Sequence, residues 1–231
     1  MKKYKAIFFD LDHTLWDFDL NSEETIAEIF HNQKLEQLGI TDPQLFIKEY
    51  KEVNKQMWDL YNENRISKEF LRSGRFRMAL NAFNVSNDDL ADTMASEYLK
   101  ICPQKTNLFP GAIDTLDYLS QKYSLHVITN GFLEVQYTKI KNSGIGKYFD
   151  HIHISEEIGF KKPEPEIFHF AVKQAGTIHE NCIMIGDNTE TDIAGAQNAG
   201  IDHILFNPHR LEVPNFVNQS VNSLTELKIL L

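Results

Sequence analysis

The stretch KAIFFDLDHTLWDFD, residues 5–19, sets an unbroken apolar run, Ala6 to Phe9, directly against Asp10 and Asp12. Such a run, without alternation, suits a strand buried on both faces of a parallel sheet. Two carboxylates one residue apart repel each other at neutral pH, so something must offset the cost. Either water does so in an open turn, or a cation does so in a site. The rest of the chain decides.

Four further short runs have strand character: LHVIT (125–129), HIHIS (151–155), CIMIG (182–186) and HILF (203–206). HIHIS alternates, as a strand nearer a sheet edge does. Helical stretches separate these runs. Pro110-Gly111 opens one, with Ile113, Leu116 and Leu119 on one face. Pro165 opens a second that stops at Gly176, and a third stops at Gly200. Strand and helix in alternation imply an α/β fold, a Rossmann-like three-layer core around a parallel sheet. Residues 206–223 read as irregular, and LTELKILL as a closing helix.

The alternation breaks once. Residues 16–105 contain no convincing strand and read as an inserted all-helical domain. Asn21 and Glu24 suggest a capping box ahead of Ile26, Ile29 and Phe30, with Gly39 ending that segment. Asp42-Pro43 opens a second helix with Phe46, Tyr50, Val53, Met57 and Leu60 on one side. Ser67 starts a third, through Phe70, Met78 and Leu80, and Ser86 with Asp89 starts a fourth. The expected organisation is a core of residues 1–15 and 106–231 interrupted by a helical cap of residues 16–105.

Composition narrows the function. A formal net charge of -10 argues against a nucleic-acid polymer or an anionic membrane as partner, because both need clustered Lys and Arg. It also means that an anionic substrate needs a local cation and a well-placed lysine. No run approaches a membrane span, and MKKYKAIFFD reaches Asp10 before a signal segment would be complete, so a cytoplasmic protein is expected. Cys102 and Cys182 read as small apolar residues, and the nine histidines show no spacing for a structural zinc.

In an open parallel sheet the ligand crevice lies at the carboxyl ends of the strands. Those ends carry Asp10, Asp12 and Thr14 after the first strand, Thr129-Asn130-Gly131 after the second, Lys161-Lys162-Pro163 after the third and Asp187-Asn188 after the fourth. Asp10 and Asp187 are hard oxygen ligands of the kind Mg²⁺ takes alongside substrate phosphate. Thr129, Asn130 and Gly131, backbone N–H groups near Leu11 and Asp12, and Lys162 can hold phosphate oxygens. A carboxylate nucleophile and, two residues on, an acid for the leaving alkoxide complete a site for phosphoryl transfer.

DLDHT (10–14), TNG (129–131), KPEP (162–165) and GDNTETDIAGAQNAG (186–200) resemble, in order and position, the four motifs of the haloacid dehalogenase-like (HAD) superfamily. The helical insertion resembles the cap of its first subfamily, and Asp12 matches the phosphatases rather than the dehalogenases. The resemblance implies a Mg²⁺-dependent phosphatase. Asp10 would be nucleophile and Mg²⁺ ligand, and Asp12 general acid and base, lending its main-chain carbonyl to the metal. Thr129 and Lys162 would bind phosphate, and Asp187 would complete the metal shell, with Asn188 and Thr14 as supports. DLDHTLWDFDLNSEETI and NRISKEFLRSGRF (64–76) look like the house-cleaning 5′-nucleotidases of this superfamily, which implies a nucleoside monophosphate as substrate. His13 departs from the usual Asp or Gly of the first motif.

Some residues carry two readings. Asp192 either supports the site or is an ordinary acid in the first turn of a helix. Lys162 is preferred over Lys161 by its place before Pro163, and that X–Pro bond is open to either isomer. Trp16 and Phe18 could stack on a base or pack as core, whereas Trp58 and Tyr61 read as core. Arg72, Arg75 and Arg77 read as solvated or paired. The alternatives are a phosphatase of phosphoglycolate or a sugar phosphate, a phosphosugar mutase, and a phospho-acceptor signalling domain. The last would place adjacent acids after its first strand, which the DxD spacing does not match. Oligomeric state is open at this level.

Overall fold

The computed structural model describes residues 4–231. Among these, in chain order, lie β1 (Ala6–Phe9), α1 (Phe18–Asn32), α2 (Pro43–Asn62), α3 (Lys68–Ala82), α4 (Asp88–Ile101) and α5 (Ala112–Ser120). There follow β2 (Ser124–Thr129), α6 (Leu133–Asn142), β3 (His151–Ile154), α7 (Ser155–Ile158), α8 (Pro165–Gln174) and β4 (Cys182–Gly186). Then come α9 (Ala194–Asn198), β5 (Asp202–Phe206), β6 (Ser220–Val221) and α10 (Leu227–Leu230).

The strands form one sheet in the order β3-β2-β1-β4-β5-β6, every pair parallel. The five apolar runs are five of its strands, and the alternating one, β3, is an edge. From β1 the chain builds outward through β2 and β3, then returns to β4 on the other side. The order therefore reverses between β1 and β4, the place where open parallel sheets take their ligands beyond the strand ends. Ala6, Phe8, Ile128, Cys182 and Met184 bury one face against Ile167, Phe168, Ala171, Ala196 and Ala199 of α8, α9 and the turn after α9. The period of two sends Ile7, Phe9, Val127, Ile183 and Ile185 to the other face, where they are equally buried. Hence the continuous apolar runs: both faces are covered. Neither Cys102 nor Cys182 is in a disulfide, and both are buried.

The chain divides into two compact units, one of residues 1–18 with 106–231, the other of residues 19–105. The second is helical. Asp42 caps α2, accepting from the Gln44 and Leu45 N–H groups, and Ser67 caps α3 through the Phe70 N–H, as their sequence predicts. Its core gathers Phe30, Phe46, Tyr50, Phe76 and Tyr98.

Several sequence expectations shift. Helix α1 starts at Phe18, so Asn21 lies inside it and is buried rather than capping, and Gly39 ends a 3₁₀ turn, Leu35–Leu38, beyond the helix. Asn87, not Ser86, caps α4. Ile113, Phe70 and Met78 are exposed; Thr115 with Leu116, and Leu71 with Phe76, take the inward places. A helical period fixes the width of an apolar stripe, but packing fixes its rotation. Arg75 is not solvated: it is buried, bonded to Asn54 Oδ1 at 2.9 Å, with its guanidinium 4.5 Å from the Tyr98 ring centre. Arg77 does pair, with Asp88. The irregular tail contains β6, too short for periodicity to reveal. No helix among the described residues is long and apolar enough to cross a membrane.

Candidate active site

After β1 the chain folds back at once. The Leu15 and Trp16 N–H groups both donate to the Leu11 carbonyl, and the His13 N–H donates to the Trp16 carbonyl. His13 takes φ +62°, a conformation where Gly or Asn is usual, with its ring 4.7 Å from that of Phe18. Trp16 is fully buried, so its core reading holds.

The acids that follow β1 and β4 meet beyond the strand ends. Oxygens of Asp10, Asp187 and Asp192 all lie within 4.8 Å of one another. Lys162 stands among them: its Nζ bonds Asp10 Oδ1 and lies 2.6 Å from Asp192 Oδ1. Thr14 donates to Asp187 Oδ1 at 3.0 Å. Burial dominates the electrostatics. It pushes the Asp10 carboxyl well above the usual range against the pull of Lys162, with Asp192 and Asp187 adding their repulsion. Burial, then the Asp192 carboxylate, pushes Asp187 up to about 8. Burial works to lower Lys162, yet Asp10 and Asp192 outweigh it and hold the ammonium protonated. A single buried lysine thus faces three acids, hard-oxygen donors whose full ionisation needs more positive charge than the lysine supplies, which fits a divalent cation.

Each remaining candidate has a definite place. The Asn130 side chain accepts from the Lys162 N–H at 2.9 Å and donates to the Lys162 carbonyl at 2.8 Å, so it pins the lysine's backbone. Lys162–Pro163 is cis. Lys161, its neighbour, is half-buried. Asn188 caps a π-turn, Thr189–Ile193, accepting from the Glu190 and Thr191 N–H groups. Its own N–H donates to Asp192 Oδ2 at 3.1 Å. Asp192 therefore joins the site as well as opening a helix. Gly186 makes that approach possible, since a Cβ there would lie 2.2 Å from Asp192 Oδ2.

Asp12 is held separately, by α6. Lys139 Nζ lies 2.6 Å from Oδ1, and Gln136 Nε2 donates to Oδ2 at 2.9 Å. Burial alone would raise the Asp12 carboxyl, but Lys139, then the Gln136 amide, hold it below the usual carboxylate range. Thr129 Oγ1 accepts from the Gly131 N–H at 3.1 Å and from Gln136 Nε2 at 2.6 Å. Gln136 and Lys139 were not foreseen from sequence. The available signal was a Gln and a Lys three apart on the same face as Val135 and Ile140, inside a segment that must bury that face.

Comparison with known proteins agrees with this geometry. Residues 4–200 match the haloacid dehalogenase-like hydrolase family. The chain is 35% identical to the pyrimidine 5′-nucleotidase PynA of Streptococcus pneumoniae, covering 90% of this chain and 86% of that protein. It is 33% identical to the pyrimidine 5′-nucleotidase YjjG of Escherichia coli, covering 99% and 98%. The magnesium-bound crystal structure of the HAD-hydrolase YfnB of Bacillus subtilis matches with a TM-score of 0.89 at 27% identity, covering 99% of each chain. The chain belongs to the haloacid dehalogenase-like hydrolase family.

Proposed function

We propose that the protein is a Mg²⁺-dependent phosphomonoester hydrolase acting through an aspartyl-phosphate on Asp10, with nucleoside 5′-monophosphates as substrates. The observation that carries the chemistry is the crowding of Asp10, Asp187 and Asp192 within 4.8 Å beside Lys162 at the strand-order reversal. Asp10, Asp187 and the Asp12 main-chain carbonyl would hold the ion, which supplies charge neutralisation for the acids and the transferring phosphoryl group.

In this reading a carboxylate oxygen of Asp10 attacks phosphorus as the bond to the leaving oxygen breaks. Asp12 gives that oxygen a proton. Asp12 then takes a proton from water, whose oxygen attacks the aspartyl-phosphate and releases inorganic phosphate and free Asp10. The Lys162 ammonium binds phosphate oxygens, and the Thr129 hydroxyl donates to another. Residues 19–105 serve as the helical cap. The nucleotidase assignment is supported by the two pyrimidine 5′-nucleotidase relatives, each matched over at least 86% of its length. The net charge of -10 supports a small metabolite rather than a nucleic-acid polymer or a membrane as partner.

The test is phosphate release from nucleoside monophosphates, sugar phosphates and phosphoglycolate, with Asp10→Asn alongside. Nucleoside monophosphates should rank among the best substrates, and Asp10→Asn should fold yet release no phosphate. Wild-type-like turnover in Asp10→Asn refutes the hydrolase mechanism. A best substrate of another class refutes only the nucleotidase assignment.

A further inference from the structure

Helix α6 presents two buried polar side chains to the site, Gln136 fully buried and Lys139 5% exposed. Three residues apart, they lie on one helix face. A buried ammonium is costly unless compensated. Here the compensation comes from two directions, Asp12 Oδ1 at 2.6 Å and the face of Trp16, 4.3 Å from Nζ to the ring centre. Lys139 is thus a cation wedged between an indole and one oxygen of Asp12. The other oxygen is taken by Gln136.

The amide orientation of Gln136 follows from the charge it faces. Turning it over would set Oε1 against a carboxylate oxygen, two acceptors face to face, so Nε2 must point at Asp12. The same Nε2 donates to Thr129 Oγ1 at 2.6 Å, and the Gly131 N–H also donates there. A hydroxyl oxygen that accepts twice keeps only its proton to offer, directed away from both donors. Gly131 is part of this device, because a Cβ on it would lie 2.1 Å from Gln136 Nε2. Gln136 Oε1 is meanwhile buried with no hydrogen-bond partner. An apolar residue would pack α6 at lower cost. A structural role therefore explains the pair poorly.

We propose that Gln136 and Lys139 are positioning residues, which clamp both Asp12 oxygens so that its carboxyl meets the leaving oxygen of the substrate and turn the Thr129 hydroxyl proton toward the phosphate. The inference rests on the phosphatase reading, in which Asp12 carries the proton to the leaving group; the oxygen that bears it still accepts from its clamp through the remaining lone pair. It adds a requirement that reading lacks: the Asp12 clamp matters in proportion to the leaving group's need for a proton.

The experiment compares kcat/KM, which reports formation of the phosphoenzyme, for two esters. One is the best alkyl phosphate of the panel, whose alkoxide needs a proton to leave. The other is p-nitrophenyl phosphate, whose phenolate does not. Lys139→Met should lower kcat/KM about 30-fold or more on the alkyl ester and about threefold or less on the aryl ester, in line with the usual size of general acid catalysis. Lys139→Arg should recover most of the loss. Gln136→Met also frees the Thr129 hydroxyl, so it should lower kcat/KM on both esters but more on the alkyl ester, and that difference carries the readout if Lys139→Met does not fold. Equal losses on both esters, or no loss on the alkyl ester, overturn the assignment. Failure of the wild type to hydrolyse either ester removes the phosphatase reading and this inference with it; an unchanged ester ratio in the variants removes this inference alone.

Discussion

His126 on β2 and His153 on β3 share one face of the sheet and are buried, 0% and 3% exposed. Their rings stack 5.7 Å apart, with His151 stacked 5.5 Å from His126 and with Phe8 and Phe170 against the outer sides. His126 Nδ1 and His153 Nε2 have no hydrogen-bond partner. Burial, then the neighbouring His151, lowers His126 to about 4, with Asp150 pulling the other way. Burial, then His126 and His151, lowers His153 to about 3. In the unfolded chain each titrates near about 6.5. Below that pH the unfolded state binds protons that the native state refuses. Their contribution is therefore complete above about pH 6.5 and is lost as pH falls toward 4 and then 3. A pH of about 5 is roughly 1.5 below the unfolded value of each ring, so keeping a ring neutral costs about 2 kcal/mol, or about 4 kcal/mol for both. The assay is urea unfolding followed by circular dichroism at about pH 7.5 and about pH 5, in chelator, for the wild type and His126→Leu/His153→Leu. The variant should gain about 4 kcal/mol relative to the wild type between the two conditions. Stability curves that stay parallel would refute the reasoning.

Two further outcomes follow from the charge balance of the site. Lys162→Met leaves Asp10 and Asp192 buried without their shared cation, so the metal-free protein should lose about 3–5 kcal/mol of unfolding free energy. A loss below about 1 kcal/mol in the same urea assay would mean that the ion pairs are not maintained in solution. Mg²⁺ should raise the unfolding temperature, by an amount equivalent to about 2.7 kcal/mol at a hundredfold excess over Kd. Asp187→Asn should abolish that rise, and an equal rise in the variant would take Asp187 out of the metal shell.

Much of this molecule was legible in the chain. Continuous apolar runs mark strands buried on both faces, and the alternating HIHIS marks the sheet edge, because the period of side chains along a strand reports how many faces are covered. Asp42 and Ser67 announce helix starts because their side chains satisfy N–H groups that every helix leaves unpaired. Asp10, Asp12, Thr129 and Asp187 were legible for a different reason: each follows directly on a strand, and a parallel sheet collects its strand ends on one rim.

Local patterns failed where rotation, or a meeting between distant residues, had to be known. Ile113, Phe70 and Met78 are apolar yet exposed, since an apolar stripe wider than its contact leaves packing to choose which residues turn inward. Asn130 reads as a phosphate ligand from its place after β2; that its amide also lies against the backbone of Lys162, 32 residues away, no local pattern could show. Gln136 and Lys139 gave no motif at all; their meaning appears only once α6 lies beside Asp12, more than 120 residues earlier in the chain.

The sequence by itself determined the parallel sheet, the helical insertion and the identity of the acids at the strand ends. These depend on periodicity and chain order, which one dimension records. The tertiary structure alone decided which side chain answers which charge: Lys162 to Asp10 and Asp192, Lys139 and Gln136 to Asp12. Buried charges interact over a few ångströms through packed atoms, and that distance is set by how helices settle on the sheet rather than by spacing along the chain.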